Sequence, residues 1–124
     1  MPAKALQVGD VITARFPESR PPGHEQEGIR PAVIVGIPER IGTPRFRTFL
    51  LAPMTSAKGQ AWATQSPDLY PFLAAGTAGL PSDSMVLLDQ VRALDFSRLM
   101  RRLGSLSSSE YVVIHGKLER IMRS

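Results

Sequence analysis

A chain of 124 residues with 43% apolar and 21% charged side chains has enough apolar material for one buried core, which excludes a disordered tail. Its 10 glycines and 11 prolines favour short strands and loops over a helix bundle, and the lack of cysteine excludes disulfides, thiolate metal sites and a cysteine nucleophile. With 15 basic against 11 acidic residues the formal charge is +4, which suits contact with a polyanion without demanding it.

Residues 8–16, VGDVITARF, alternate Val11, Thr13 and Arg15 with Ile12, Ala14 and Phe16, the period of a strand with one buried face. Residues 17–30 hold three prolines and two glycines and read as a long loop. The run PAVIVGI at 31–37, with proline only at its start and just past its end, reads as a central strand buried on both faces. A Gly/Pro loop over 38–44 leads to a strand over 45–55 and a turn at Lys58-Gly59, with 60–65 as a short edge strand and 66–83 as loop. A second strong strand is predicted over 84–95, SMVLLDQVRALD. Ser97 as N-cap and Gly104 as stop predict a short helix over 97–104, with Arg98, Arg101 and Arg102 on one face. Ser107 and Glu110 form a capping box for a helix over 108–123, whose apolar stripe is Ile114, Leu118, Ile121 and Met122, with Tyr111 joining it. Strands first and helices last predict a mainly β protein with C-terminal helices, a small antiparallel barrel forming a single domain over 1–124. No stretch approaches the ~18 apolar residues of a membrane span and no leader peptide is expected, so the expectation is a soluble cytoplasmic protein.

The two histidines, His24 and His115, stand in different elements and lack any ligand spacing, so no metal or cofactor is expected; there is also no phosphate-cradling glycine loop. The loop that ends in Arg30 offers His24, Glu25, Gln26 and Arg30 within seven residues, just before a buried strand. Arg30 precedes proline, so its backbone is biased to an extended form, and a guanidinium fixed there suits a phosphate. On residue type alone, an ordinary ion pair of Arg30 with Glu25 or Glu27, stapling the loop, accounts for the same pattern. The stretch MTSAKG at 54–59 supplies the Thr55 and Ser56 hydroxyls and the Lys58 cation at a strand end, and in isolation it reads first as a plain turn. Arg40, Arg45 and Arg47 flank the second loop and are RNA-contact candidates, whereas the arginines of 97–104 read as a solvated face.

Four stretches together resemble the MazF/PemK family of toxins from toxin–antitoxin pairs. GDVITARF at 9–16 is similar to its opening strand, GHEQEGIRPAVIV at 23–35 to its G-S-E-Q-x-G-x-R-P signature, APMTSAKG at 52–59 to its threonine-bearing strand end, and AGLPSDSMVLLDQVRALD at 78–95 to its late strand. The resemblance implies an SH3-like β-barrel, a homodimer, and metal-independent cutting of single-stranded RNA at short sequences, with no cofactor. It implies Arg30 and Thr55 as the catalytic pair, with Glu25 in support, and an antitoxin whose acidic, partly disordered tail threads the RNA groove. His24, Gln26, Arg40, Arg45, Arg47, Ser56 and Lys58 are then the RNA-binding candidates. Attack by the ribose 2′-hydroxyl leaves a 2′,3′-cyclic phosphate and a 5′-hydroxyl; DNA, which lacks that group, is not a substrate. Glu25 or His24 is the candidate base, because an unperturbed threonine hydroxyl is a poor one. The sequence departs from the pattern at ESRPP, 18–22, at His24, where serine is usual, and over 60–77. Two alternatives stand beside this reading: a toxin of the same fold that binds a protein target such as DNA gyrase, and an inactive RNA-binding relative.

Overall fold

The structure is a computed structural model that describes residues 6–123; the chain start, read above as carrying no leader, and Ser124 lie outside them. β1 (Asp10–Phe16) pairs antiparallel with β2 (Gly28–Gly36) from Val11↔Val33 to Phe16↔Gly28. β2 pairs with β3 (Thr48–Ser56), and β4 (Phe72–Leu73), β5 (Ser84–Val86), β6 (Arg92–Asp95) and β7 (Leu99–Ser105) complete one sheet. Every ladder is antiparallel, and the order is β4-β5-β3-β2-β1-β7, with β6 also on β3. The sheet curls into a half-barrel, with one short helix, α1 (Ala61–Thr64), and a C-terminal one, α2 (Ser108–Met122). No helix among the described residues is long and apolar enough to cross a membrane.

Two apolar layers explain the continuous run at 31–37. Ile12, Ala14, Phe16, Ala32, Ile34, Phe49 and Leu51 fill one side of the sheet with Leu94 and Leu99. Their strand neighbours Val11, Val33, Ala52, Met54 and Val86 point the other way and meet Ile114 and Leu118 of α2. Consecutive strand residues face opposite sides, so a strand covered on both reads as unbroken hydrophobicity.

The predicted barrel therefore forms, with its central strand over Gly28–Gly36 in place of 31–37, and four further local expectations are corrected. The segment 97–104 is not a helix. Asp95 caps a single 3₁₀ turn over Phe96–Arg98 by accepting from the Ser97 amide, and the chain then runs as β7 along the outer edge of β1, from Asp10↔Ser105 to Ala14↔Leu99. The free N–H and C=O groups of that edge need partners, and burying Leu99 outweighs the local caps. Arg101 and Arg102 consequently face opposite sides of a strand rather than sharing a helical face. The segment 60–65 is not an edge strand, because β5 already occupies the edge beside the end of β3, at Thr55↔Met85. Gly59 at φ +75 turns the chain out of the sheet into α1.

The strand over 84–95 is split. Between Met54↔Val86 and Leu51↔Arg92 it advances six positions against three on β3, and the surplus is taken up by a 3₁₀ turn at Leu88–Gln90. Finally, one C-terminal helix rather than several closes the chain, and only part of its stripe is buried: Ile121 and Met122 run past the sheet edge, 49% and 71% exposed. With few buried anchors, α2 depends on its cap. Ser107 Oγ accepts from the Glu110 amide at 3.1 Å, and Glu110 Oε1 accepts from the Ser107 amide at 2.7 Å. Ser107→Ala is expected to cost about 1 kcal/mol, read as a lower denaturant midpoint at unchanged m-value.

Candidate active site

The β2–β3 ladder ends at Ala32↔Pro53. Pro53 has no N–H to donate, and the last residues of β3 bend away to pair with β5. Beyond that rung the strands part and leave a cleft of about 290 Å³. Ile29, Arg30 and Pro31 form one bank; Met54, Thr55 and Ser56 form the other, and Lys58, Gln60, Ser82 and Ser84 close it. The register that pairs 32 with 53 would, two residues on, set 30 against 55, and both residues line the gap where the strands have parted.

Each wall is held in place. Arg30 Nε donates to the Glu27 carbonyl at 2.7 Å, so the guanidinium is oriented by backbone and not by an ion pair with Glu25 or Glu27. Gln60 pins the turn at 56–60: its Nε2 donates to the Ser56 carbonyl at 3.2 Å, and its Oε1 accepts from the Lys58 amide at 2.8 Å. Ser84 Oγ donates to the Ser82 carbonyl at 2.9 Å. Two cations, two hydroxyl-bearing residues of β3 and no acidic side chain line the cleft among the described residues, which makes it a site for an anion.

The structure thus brings Arg30, Thr55, Ser56 and Lys58 together. Glu25 stands elsewhere, in a broader groove of about 790 Å³ walled by 18–23 and 89–92. It is fully exposed, and its carboxyl is held below the usual range by its own backbone N–H, then by Ser19 Oγ donating at 3.2 Å, with His24 and Arg92 adding charge. His24 is exposed and lines neither depression. Gln26 turns inward, its Oε1 buried without a partner among the described residues. Arg40, Arg45 and Arg47 sit at the other end of the β2–β3 pair, past Gly36↔Leu50, roughly 20 Å from Arg30 at ~3.3 Å per strand residue. Arg47 is engaged in packing: it pairs with Glu39 at 2.9 Å and stacks over Phe49 and Phe96 at 5.3 and 4.7 Å from the ring centres. Gln60, Ser82 and Ser84 were not singled out in the sequence; only their tertiary placement marks them.

Residues 7–122 match the family described as PemK-like, MazF-like toxin of type II toxin–antitoxin systems. The Endoribonuclease MazF of Staphylococcus epidermidis is 32% identical over 114 residues, covering 92% of this chain and 88% of that protein. Among solved structures, MazF from Deinococcus radiodurans superposes with a TM-score of 0.71 at 25% identity, covering 96% of this chain and 97% of that one. A MazE–MazF structure from the same organism gives 0.64 at 27% identity, covering 94% and 95%. Matched along nearly its whole length, the chain belongs to the PemK-like, MazF-like toxins of type II toxin–antitoxin systems.

Proposed function

We propose that this chain, an endoribonuclease of the MazF class, cuts single-stranded mRNA at short specific sequences without ribosome or metal, by attack of a ribose 2′-hydroxyl on the adjacent phosphorus. The observation that carries this reading is the meeting of Arg30 and Thr55 across a cationic cleft that no carboxylate lines among the described residues. A phosphate seated there builds up negative charge as the phosphorane forms. The terminal N–H groups of Arg30 are aimed at that charge, and Lys58 adds a second cation. Thr55 donates its hydroxyl to a phosphate oxygen or to the departing 5′-oxygen. Glu25 is ionised at neutral pH but lines the separate groove and not the cleft, so its part in this reading is support of the substrate strand outside the cleft, and the attacking hydroxyl's proton passes to solvent. Such cutting inhibits translation and growth until an antitoxin binds. The similarity to MazF seen in MazE–MazF pairs supports an antitoxin of the MazE kind as partner, with the toxin a homodimer.

The test is incubation of the purified chain with single-stranded RNA and matched DNA in EDTA. RNA fragments with 2′,3′-cyclic phosphate and 5′-hydroxyl ends, and intact DNA, are expected. Loss of cutting on chelation, or 5′-phosphate ends, would refute the metal-free 2′-hydroxyl route. Intact RNA throughout, together with growth arrest on induction, would move the target to a protein.

A further inference from the structure

We propose that Glu27 is a positioning residue for Arg30, the clasp through which the β1–β2 loop aims the guanidinium into the cleft; this rests on the cleavage reading above. Glu27 works at both ends. Its carboxylate Oε2 accepts the amide N–H of Ser19, eight residues back, at 2.7 Å. Its carbonyl oxygen accepts the Nε–H of Arg30, three residues on, at 2.7 Å. Both bonds are short and each has an ionised partner, which places them among the stronger hydrogen bonds.

A guanidinium carries five N–H donors in a rigid plane. The Glu27 carbonyl takes the inner one, on Nε, and leaves the two terminal nitrogens to grip a phosphate. The bond also fixes the plane of the fork, which the long arginine stem would otherwise leave free to rotate until the transition state forms. The carbonyl in turn needs an anchor. It precedes Gly28 at φ +82, where the chain reverses into β2 and where the Glu27–Gly28 peptide has the least steric restraint. The Ser19–Glu27 bond closes the loop across that point and holds the peptide in one orientation. Ser19 also donates its hydroxyl to Glu25 at 3.2 Å, so the wall of the broader groove and the cleft guanidinium hang on one serine.

The experiment uses the full chain and a single-stranded RNA oligonucleotide. Glu27→Ala is expected to lower kcat about ten- to a hundredfold while KM changes by less than about threefold, because a misaimed group costs the transition state and not substrate binding. Glu27→Gln keeps an amide oxygen that accepts the Ser19 N–H and is expected to stay within about threefold of wild-type kcat. Nitrogen–proton spectra provide a second reading: the Arg30 Nε–H signal should be sharp and slow to exchange in wild type and Glu27→Gln, and broadened in Glu27→Ala. Should Glu27→Ala not fold, Glu27→Asp, one methylene too short to reach Ser19, replaces it with the same expected losses. A folded Glu27→Ala (or Asp) chain with wild-type kcat and a sharp Nε–H signal overturns the inference, and so does a Glu27→Gln chain as impaired as Glu27→Ala. Arg30→Ala run alongside separates the two levels. If it still cuts, the cleavage mechanism falls; if it is inert beside a fully active Glu27→Ala, only the positioning role does.

Discussion

Arg30→Ala is expected to lower kcat for RNA cleavage at least about 10²–10³-fold, the loss seen when one preorganised donor to a developing oxyanion is removed and equal to roughly 3–4 kcal/mol of barrier. The number is large because the cleft has little else to offer the phosphorane. Lys58 is exposed, and its backbone, not its ammonium, is what Gln60 holds. Arg30 alone is both fixed, through Nε, and free to donate, through its terminal nitrogens. Arg30→Lys should recover little: an ammonium cannot reach a phosphate bidentately while also bonding the Glu27 carbonyl. Fold damage is separable, since Arg30 is half-exposed at a strand start and its loss opens no core cavity. A variant with a near-wild-type melting temperature and no RNA fragments by gel in EDTA is the expected pair of results. Full cleavage by folded Arg30→Ala would remove the cation from the mechanism.

The same pair of residues shows what a sequence can disclose. Arg30 and Thr55 are named as a pair by the resemblance of two short motifs to a toxin family, because each residue on its own is explained by a loop ion pair or a plain turn; the register then puts the ends of β2 and β3 that carry them on the two banks of one cleft. The capping box of α2 was likewise readable, being a purely local arrangement. What stayed hidden depends on partners distant in sequence. Ser97 and Gly104 punctuate 97–104 like a helix, yet the strand it pairs with lies about ninety residues earlier, and no local propensity reports an unpaired edge on β1. The split of 84–95 comes from β3 being shared between β5 and β6, a demand invisible in the segment itself. Glu25 and Gln26, although adjacent in sequence to the signature arginine, are turned away from it by a loop of prolines whose path is set by Ser19, Glu25 and Glu27 bonding to one another.

The largest expected loss of stability lies in a contact that no apolar pattern marks, the packing of the 76–80 turn on β7. Gly76, Ala78 and Gly79 hold φ of +91, +49 and +77, so the turn is already built from left-handed backbone, with Ala78 as its strained member. That shape lays it flat on β7. A Cβ on Gly104 would stand 2.6 Å from the Ala78 carbonyl carbon and oxygen, and one on Gly79 would strike the Leu103 carbonyl. Neither neighbour is the tip of a flexible side chain; backbone has to move. Gly104→Ala is therefore expected to destabilise by about 2–3 kcal/mol through overpacking, and Gly79→Ala by about 1 kcal/mol more because its own φ becomes strained. For a domain of this size each kcal/mol lowers the melting temperature by several degrees. Gly42→Ala is the control, with open space around its Cβ and an expected change within about 0.5 kcal/mol. The turn leads through buried Leu80 into Ser82 and Ser84, the residues that close the cleft beyond Thr55, so its seating on β7 is also what keeps that wall in place. Cleavage by Gly104→Ala should accordingly fail at a lower temperature than in wild type, and unchanged melting of both glycine variants would show that turn and strand are not in contact.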